Sequence, residues 1–313
     1  MSAHYTLPTD AVWFITGCSS GIGQTLATYI ASTTTNRVIA TARNSSSLSF
    51  IPSTPNVLKL TLDVTSQISI QTALTTSLQH FGRIDIFINN AGYGLMGDTE
   101  AVSDSDARAQ MDTNFWGAVD ITKTALPILR EENPKTGQKG GVIIQVTSLG
   151  GRLAFPGNAF YHASKFALEG FTEAVSKELP ADWNIHFCLI EPGGVKTNYA
   201  TTSLASIAPH PAYTDPKLPT NVLRAYKSSP EAMKNWADPK VVVERLYEVV
   251  RDGVEGCNGG KGGIPFRLPL GSDSWGMQRL AMEEGLKEFG VLEGTSLSIS
   301  GKEQMESIKF LRK

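Results

Sequence analysis

Tyr161 and Lys165 stand four residues apart in Tyr161-His162-Ala163-Ser164-Lys165, inside a long helical pattern. Residues at i and i+4 share one face of a helix, so the phenol and the ammonium project into the same space. A neighbouring cation favours phenolate over phenol and lowers the tyrosine's pKa, which is about 10 when unperturbed. General acid–base catalysis works best with that value near the working pH. The pair alone is a frequent coincidence on amphipathic helices, and it gains meaning from its surroundings. Ser148 lies thirteen residues upstream, just past the apolar run Val142–Thr147. That run is bounded by Gly140-Gly141 and Gly150-Gly151 and reads as a buried strand. A serine past a strand end, followed by a loop into the tyrosine's helix, can reach the same pocket.

Near the N-terminus Ala11–Thr16 reads as a strand, followed by Gly17-Cys18-Ser19-Ser20-Gly21-Ile22-Gly23 and a helix-like segment to Ser32. Strand, glycine-rich turn and helix N-terminus form a phosphate cradle, because backbone N–H groups and the helix dipole point at the anion. The candidate contacts are Gly17, Ser19, Ser20, Gly21, Ile22 and Gly23. Cofactor preference is set about twenty residues further on, where an acid suits the ribose hydroxyls of NAD and an arginine suits the 2′-phosphate of NADP. The second strand ends in Thr41-Ala42-Arg43 with no acid, and a guanidinium meets phosphate with a two-pronged fork. The sequence therefore predicts NADP, with Arg43 as the reader.

The spacing Thr16-Gly-x-x-x-Gly-x-Gly23, with Asn89-Asn90-Ala91-Gly92, Asn114, Ser148, Tyr161-x-x-x-Lys165 and Pro192-Gly193, resembles the short-chain dehydrogenase/reductase family. The resemblance is to its compact single-domain members, covers roughly Ala11 to Thr197, and continues more weakly to about Phe289. It implies a catalytic tetrad of Asn114, Ser148, Tyr161 and Lys165. Ser148 would donate a hydrogen bond to the reacting oxygen and Tyr161 would deliver the proton. Lys165 would also bond the nicotinamide ribose, and Asn114 would hold a water that links Lys165 to solvent. The resemblance further implies an adenine contact at Asp63, whose other reading is a helix cap before Ser66, and an adenosine-ribose contact at Asn90. Ile22 would supply a backbone contact at the pyrophosphate turn, and Val195 and Thr197 would hold the nicotinamide carboxamide. Lys123 falls where relatives carry a basic residue beside the cofactor, and reads equally well as a surface lysine. The outline is similar to carbonyl reductases and hydroxysteroid-type dehydrogenases. It implies a lipophilic ketone of polyketide, terpenoid, steroid or retinoid type, with a place in specialised-metabolite biosynthesis. A non-catalytic cofactor-binding member of the same fold is the rival, but such members often lose the tyrosine or lysine kept here. Epimerases and dehydratases of the extended branch usually carry a differently spaced glycine motif.

The elements that would position these residues alternate. Strands are expected at Val12–Thr16, Arg37–Ala42, Val57–Thr61, Ile84–Asn89, Val142–Thr147 and Ile185–Ile190, and helices at Ile22–Ser32, Ser66–Phe81, Ser103–Thr113 continuing toward Arg130, and Asn158–Leu179. Apolar strands alternating with helices predict an α/β fold, a doubly wound parallel sheet of Rossmann type, with ligands at the carboxyl ends of its strands. One domain is expected. Residues 198–240, rich in Pro, Ser, Thr and Ala with little clean period, read as a substrate lid. Pro239 opens a helix to Arg251, Pro265–Leu270 reads as an edge strand, and Ser274 as the cap of a last helix to Phe289, with residues 290–313 a tail. Leu149, Phe155 and Tyr199 are candidate pocket residues. With 28 basic and 30 acidic residues the net charge is −2, which excludes a nucleic-acid or anionic-membrane surface. No apolar run has the length of a signal peptide or membrane span, so a soluble cytoplasmic protein is expected. Cys18, Cys188 and Cys257 are spaced for neither disulfides nor metal and read as structural filler, and no metal site is expected. His162 reads as a neighbour of the site. The helices near Asn114–Arg130 and Asn158–Leu179, the second carrying Phe166, Leu168, Phe171 and Val175, predict a homodimer or homotetramer.

Overall fold

The computed structural model describes residues 5–198, 203–255, 263–300 and 302–312. Tyr199 and Cys257 lie outside the described residues. In chain order the strands are β1 (Val12–Ile15), β2 (Arg37–Ala42), β3 (Val57–Thr61), β4 (Ile86–Asn89), β5 (Gly94–Met96), β6 (Gly141–Val146), β7 (Ile185–Pro192), β8 (Leu204–Ser206) and β9 (Arg267–Leu270). The helices are α1 (Gly21–Thr33), α2 (Gln67–Phe81), α3 (Asp104–Met111), α4 (Gly117–Pro127), α5 (Ala159–Glu178), α6 (Pro219–Ser228), α7 (Pro230–Lys234), α8 (Pro239–Asp252), α9 (Ser272–Leu297) and α10 (Lys302–Ser307). The main sheet runs β3-β2-β1-β4-β6-β7-β9, and every pairing in it is parallel.

Alternation along β1 shows why both faces are covered. Val12 and Phe14 pack with Ile70 and Leu74 of α2 and Ile121 and Ala125 of α4. Trp13 and Ile15 point the other way, to Leu26 and Ile30 of α1 and Val243 and Leu246 of α8. The order reverses at β1, whose neighbours are β2 and β4. A crevice therefore opens at the carboxyl ends of β1 and β4, where such sheets bind ligands.

The chain forms two compact units, 1–274 and 275–313. The second consists of α9 beyond its first turn, α10 and a short turn at Lys309–Arg312. No helix among the described residues is long and apolar enough to cross a membrane.

The strands and helices expected around the glycine loop, Ser148 and Tyr161 are all present, with ends shifted by a residue or two. Three local features differ. The pair β5–β8, with Leu95 opposite Ala205, is too short to show a period in sequence. The expected lid is not irregular throughout: α6 and α7 lie within it, each with proline at its start, where the missing N–H costs nothing. The last helix begins at Ser272, and Ser274 does not act as its first residue but donates from its hydroxyl to Glu191 O at 2.6 Å.

An ionic cluster fixes α5, the helix of Tyr161 and Lys165, to the edge of the sheet. Arg267 of β9 reaches Glu169 (3.2 Å) and Glu173 (2.9 Å) of α5 and Glu191 (3.6 Å) of β7. Glu169 and Glu191 are buried, and burial pushes the Glu169 carboxyl up. Lys177 also pairs with Glu173 at 2.6 Å, but removing Arg267 takes the guanidinium from the buried Glu169 and Glu191, a change that costs 3–5 kcal/mol in fully buried pairs and less here because Arg267 is partly exposed. Arg267→Met should therefore lower stability by about 2–4 kcal/mol in urea unfolding. A loss below about 0.5 kcal/mol, the level of an ordinary surface change, would show that the cluster does not hold α5 in place.

Candidate active site

The loop after β1 is shaped by its glycines. Gly17 and Gly21 have φ of +70° and +61°, a region costly for other residues. A Cβ on Gly17 would lie 2.9 Å from Ala91 Cα, and one on Gly23 would lie 2.4 Å from Asn90 Nδ2. The two loops are zipped together. Thr16 Oγ1 accepts from the backbone of Asn90 and Ala91, both at 2.9 Å, and Asn90 Nδ2 donates to Thr16 O at 2.8 Å. The first turn of α1 is left open: Ser20, its N-cap, makes no side-chain cap bond, and no acid stands in that turn. Its N–H groups and dipole are thus available to an anion.

One cavity of about 1000 Å³ runs from this cradle across the carboxyl ends of the strands. Gly17, Ser19, Ser20, Gly21 and Ile22 line it at the α1 end, and Arg43, Asp63 and Asn90 past the ends of β2, β3 and β4. Val195 and Thr197 line it too, Thr197 close enough to the cradle that a Cβ on Gly21 would lie 3.6 Å from its Cβ, and so do Ser148, Tyr161 and Lys165. Three expected residues do not line it. Gly23 is buried against Asn90. Lys123 is exposed on α4, one position beyond Thr122, which is buried toward Asn89 and Gln145; a step of about 100° turns Lys123 to solvent. Asn114 sits behind the wall.

Arg43 makes no hydrogen bond or ion pair among the described residues. Asp63 is bound locally: its carboxylate accepts from Thr65 N (2.9 Å) and Thr65 Oγ1 (2.7 Å), and these bonds, with a smaller contribution from Arg43, hold it below the usual carboxylate range. Ser66, not Asp63, caps α2, accepting from Ser69 N. An exposed guanidinium, an uncapped helix start and a cradle that tolerates no Cβ fit the phosphates of a dinucleotide.

On α5, Tyr161, Lys165 and Glu169 follow at steps of four and share one face. Lys165 is 5% exposed and donates to Val146 O, the last carbonyl of β6, at 2.8 Å. Burial lowers its pKa to about 8, with Glu169 opposing. Its Nζ lies 5.9 Å from the centroid of the Tyr161 ring. Ser148 Oγ accepts from Gly150 N at 2.9 Å, which leaves the hydroxyl proton free to donate elsewhere.

Asn114 occupies a π turn (Asp112–Trp116) between α3 and α4. Its Nδ2 donates to Tyr93 O (2.9 Å) and Ser164 Oγ (3.2 Å), and its Oδ1 accepts from Tyr93 N (3.0 Å). Both amide hydrogens are used, and one acceptor site on Oδ1 remains. A Cβ on Gly92 would come 3.0 Å from that oxygen and 3.7 Å from Lys165 Nζ, so glycine there keeps the line between them clear. His162 is held by backbone on both sides. Phe155 N donates to Nε2 at 3.0 Å, so Nδ1 carries the proton and gives it to Gly150 O at 2.8 Å. Burial lowers its pKa, and it stays neutral. Cys18 and Cys188 are buried free thiols, and burial pushes Cys18 up to about 12. No cluster of three or more His, Cys, Asp or Glu suited to a metal occurs among the described residues.

Several cavity residues have no signature in the sequence. Asp273 accepts from Gly194 N at 2.7 Å, and Trp236 packs so closely on Gly194 that a Cβ there would lie 2.6 Å from the indole. Together with paired bonds between Gly194, Lys196 and Ala237, they fix the Pro192–Thr197 loop. From α6 come Leu223, Tyr226 and Lys227. Leu149 and Phe155, expected as pocket residues, do line the cavity.

The short chain dehydrogenase family model matches residues 11–207. Oxidoreductase calM of Penicillium decumbens is 43% identical over 271 residues, which span 85% of this chain and 85% of that protein. A 3-ketodihydrosphingosine reductase of Bacteroides thetaiotaomicron is 37% identical over 185 residues, 59% of this chain and 64% of that protein. Among solved structures, a short-chain dehydrogenase from Streptomyces avermitilis superposes with a TM-score of 0.77 at 26% identity, covering 93% of this chain and all of that one.

The buried ammonium gives a pH test. Folding lowers the Lys165 pKa from its ordinary 10.5 to about 8. Below about 8 both states carry the proton and the burial penalty is complete. Above it the native state loses the proton while the unfolded state keeps it, so stability rises with pH by about 1.4 kcal/mol per pH unit. Measured against Lys165→Met in the absence of cofactor, the wild type should gain on the order of 3 kcal/mol between about pH 8 and 10.5. A difference that stays flat across that range would show that the ammonium is not desolvated.

Proposed function

The chain belongs to the short-chain dehydrogenase family, and from that membership we propose an NADP(H)-dependent oxidoreductase that interconverts a ketone and a secondary alcohol on a lipophilic substrate. Family members use NAD(P); the choice of NADP is our reading and is supported by Arg43, exposed and without an ion pair among the described residues, at a strand end, Thr41-Ala42-Arg43, that carries no acid. The observation that carries the proposal is the convergence of Ser148, Tyr161 and Lys165 on one cavity with an uncapped α1 cradle at its other end. Leu149, Phe155, Leu223, Tyr226 and Trp236 on the same cavity support a lipophilic substrate. The 3-ketodihydrosphingosine reductase, by its name a reductase of a lipid ketone, supports the same class. A step in specialised-metabolite biosynthesis belongs to this proposal, as does a homodimer or homotetramer through α4 and α5, where Trp116, in the π turn that leads into α4, and Phe166 of α5 are 52% and 45% exposed.

The α1 cradle and Arg43 would hold the phosphates, Asp63 and Asn90 the adenosine end, Val195 and Thr197 the carboxamide, and Lys165 the ribose beside the nicotinamide. When bound, the nicotinamide supplies the hydride in reduction and takes it in oxidation. Ser148 keeps its hydroxyl proton for the substrate oxygen, because its own oxygen already accepts from Gly150 N. That bond strengthens as negative charge grows on the oxygen. Tyr161 then gives up its phenolic proton to the oxygen, and the Lys165 ammonium stabilises the charge left on the phenol. Asn114 positions the wall by clamping Tyr93, and its remaining acceptor site faces Lys165 across Gly92 as a path for replacing the proton. In oxidation the tyrosine takes the proton instead.

Tyr161→Phe keeps the ring and removes the transferable proton. Hydride transfer should fall about a hundredfold or more, the usual scale for losing a general acid, while the NADPH dissociation constant stays within about twofold, because the 2′-phosphate and pyrophosphate contacts are untouched. Near-native turnover in this variant would exclude the mechanism.

A further inference from the structure

Lys227 does not fit the apolar wall from which it projects. Leu223, Tyr226 and Lys227 follow at steps of three and four on α6, and all three line the cavity. The ammonium of Lys227 donates to Asn158 Oδ1 at 3.0 Å. Asn158 is the N-cap residue of α5, but its side chain makes no cap bond: its amide nitrogen turns away to Pro156 O at 2.8 Å. The first turn of this twenty-residue helix holds no acid. Lys227 sits in the last turn of α6, whose carbonyl end favours a cation, but it also faces the positive end of the long, uncapped α5, where a cation is disfavoured.

No carboxylate pairs with Lys227 among the described residues, and burial alone pushes its pKa below the usual range, with no acid opposing. Asn158 offers a neutral oxygen, which satisfies one of three N–H groups without cancelling charge. His162, close enough to feel the Lys227 charge, is committed to backbone at both nitrogens. Three acids line the cavity: Asp63, held by Thr65, Asp273, held by Gly194, and Asp112 of the π turn; none of them raises the Lys227 pKa.

We propose that Lys227 and the N-terminus of α5 form a subsite for a carboxylate carried by the substrate, which makes the lipophilic ketone a keto acid. The subsite rests on the ketone-reductase reading for its substrate, but its charge selectivity is measurable without turnover. A carboxylate here meets an ammonium and a helix dipole in a partly dry cavity, where both interactions are stronger than in water. It also fixes the chain end of an otherwise greasy molecule, and so places the ketone against Ser148 and Tyr161.

The probes are 4-oxodecanoate, 5-oxodecanoate and 6-oxodecanoate with their methyl esters, a series that varies the distance from ketone to carboxyl. Binding to the NADP⁺-loaded protein is read by quenching of tryptophan fluorescence, Trp236 being a wall of the cavity, and turnover by NADPH oxidation. At least one acid should bind about tenfold or more tightly than its ester. Lys227→Gln keeps an N–H donor for Asn158 and removes the charge; it should bring that acid to the level of its ester and leave the ester unchanged. Lys227→Arg should retain the preference. Acids that bind no more tightly than esters in the wild type overturn the subsite. So does a Lys227→Gln protein that keeps the preference, or that weakens acid and ester alike, as loss of a latch between α6 and α5 would. Acid-selective binding without NADPH oxidation leaves the subsite standing and contradicts ketone reduction; oxidation without acid selectivity does the reverse.

Discussion

The site depends on a lysine ammonium held almost entirely out of water. Lys165 has one fixed partner, the last carbonyl of β6, and one acid a turn further along α5. Desolvating a cation in this way is expensive, and its pKa falls accordingly. The cost is sustained only if the end of β6 and the face of α5 keep their distance, and Arg267 meets that demand by tying α5 to β7 and β9 through three carboxylates. The same desolvation makes the ammonium effective beside Tyr161, since a charge in a dry site acts on its neighbour more strongly than one in water. Stability and chemistry therefore oppose each other at this residue.

The remaining parts of the site are loops, and each is bound to a second segment by the protein's own groups. Thr16 is zipped to Asn90 and Ala91, the Pro192–Thr197 segment is pinned by Asp273 and Trp236, and Tyr93 is clamped by Asn114. Glycine stands wherever two of these backbones approach too closely for a side chain, at Gly17, Gly23 and Gly194. The cavity is thus largely formed in advance, which reduces the ordering cost of binding. The π turn that carries Asn114 is the one break in the long helix from α3 to α4, and such turns commonly mark functional positions.

Much of this was legible in the sequence because it is local. A strand, a glycine turn and a helix start are contiguous, and Tyr161 and Lys165 are related by helical repeat alone. The inner strands β2, β1, β4, β6 and β7 read correctly because burial on both faces makes them largely apolar runs, while β3, at the sheet edge, is only partly buried and carries Lys59. What escaped is non-local or short. Asp273 binds Gly194 across 79 residues, and no periodicity announces such a contact. β5 and β8 have three residues each, too few for alternation to show. α6 was hidden by prolines and serines that mark its ends as readily as a loop. Lys123 shows the limit of placing a residue by family position: a single helical step decides whether it meets the cavity or solvent. The amide bonds of Asn114 to Tyr93 and Ser164 belong to the same class, since nothing in the sequence around Asn114 specifies them.

The central claim is that this cavity reduces lipophilic ketones at the expense of NADPH. The most direct test offers the wild-type protein and Arg43→Ala a panel of such ketones with NADPH and, separately, NADH, and follows the nicotinamide absorbance. The account predicts turnover of members of the panel by the wild type with NADPH preferred, and a loss of about tenfold to a hundredfold in NADPH affinity in Arg43→Ala, with NADH unaffected, because only NADPH carries the 2′-phosphate. Tight nucleotide binding with no oxidation on any ketone would contradict the account and mark the chain as a binder; equal losses with both cofactors would show that Arg43 does not read the phosphate.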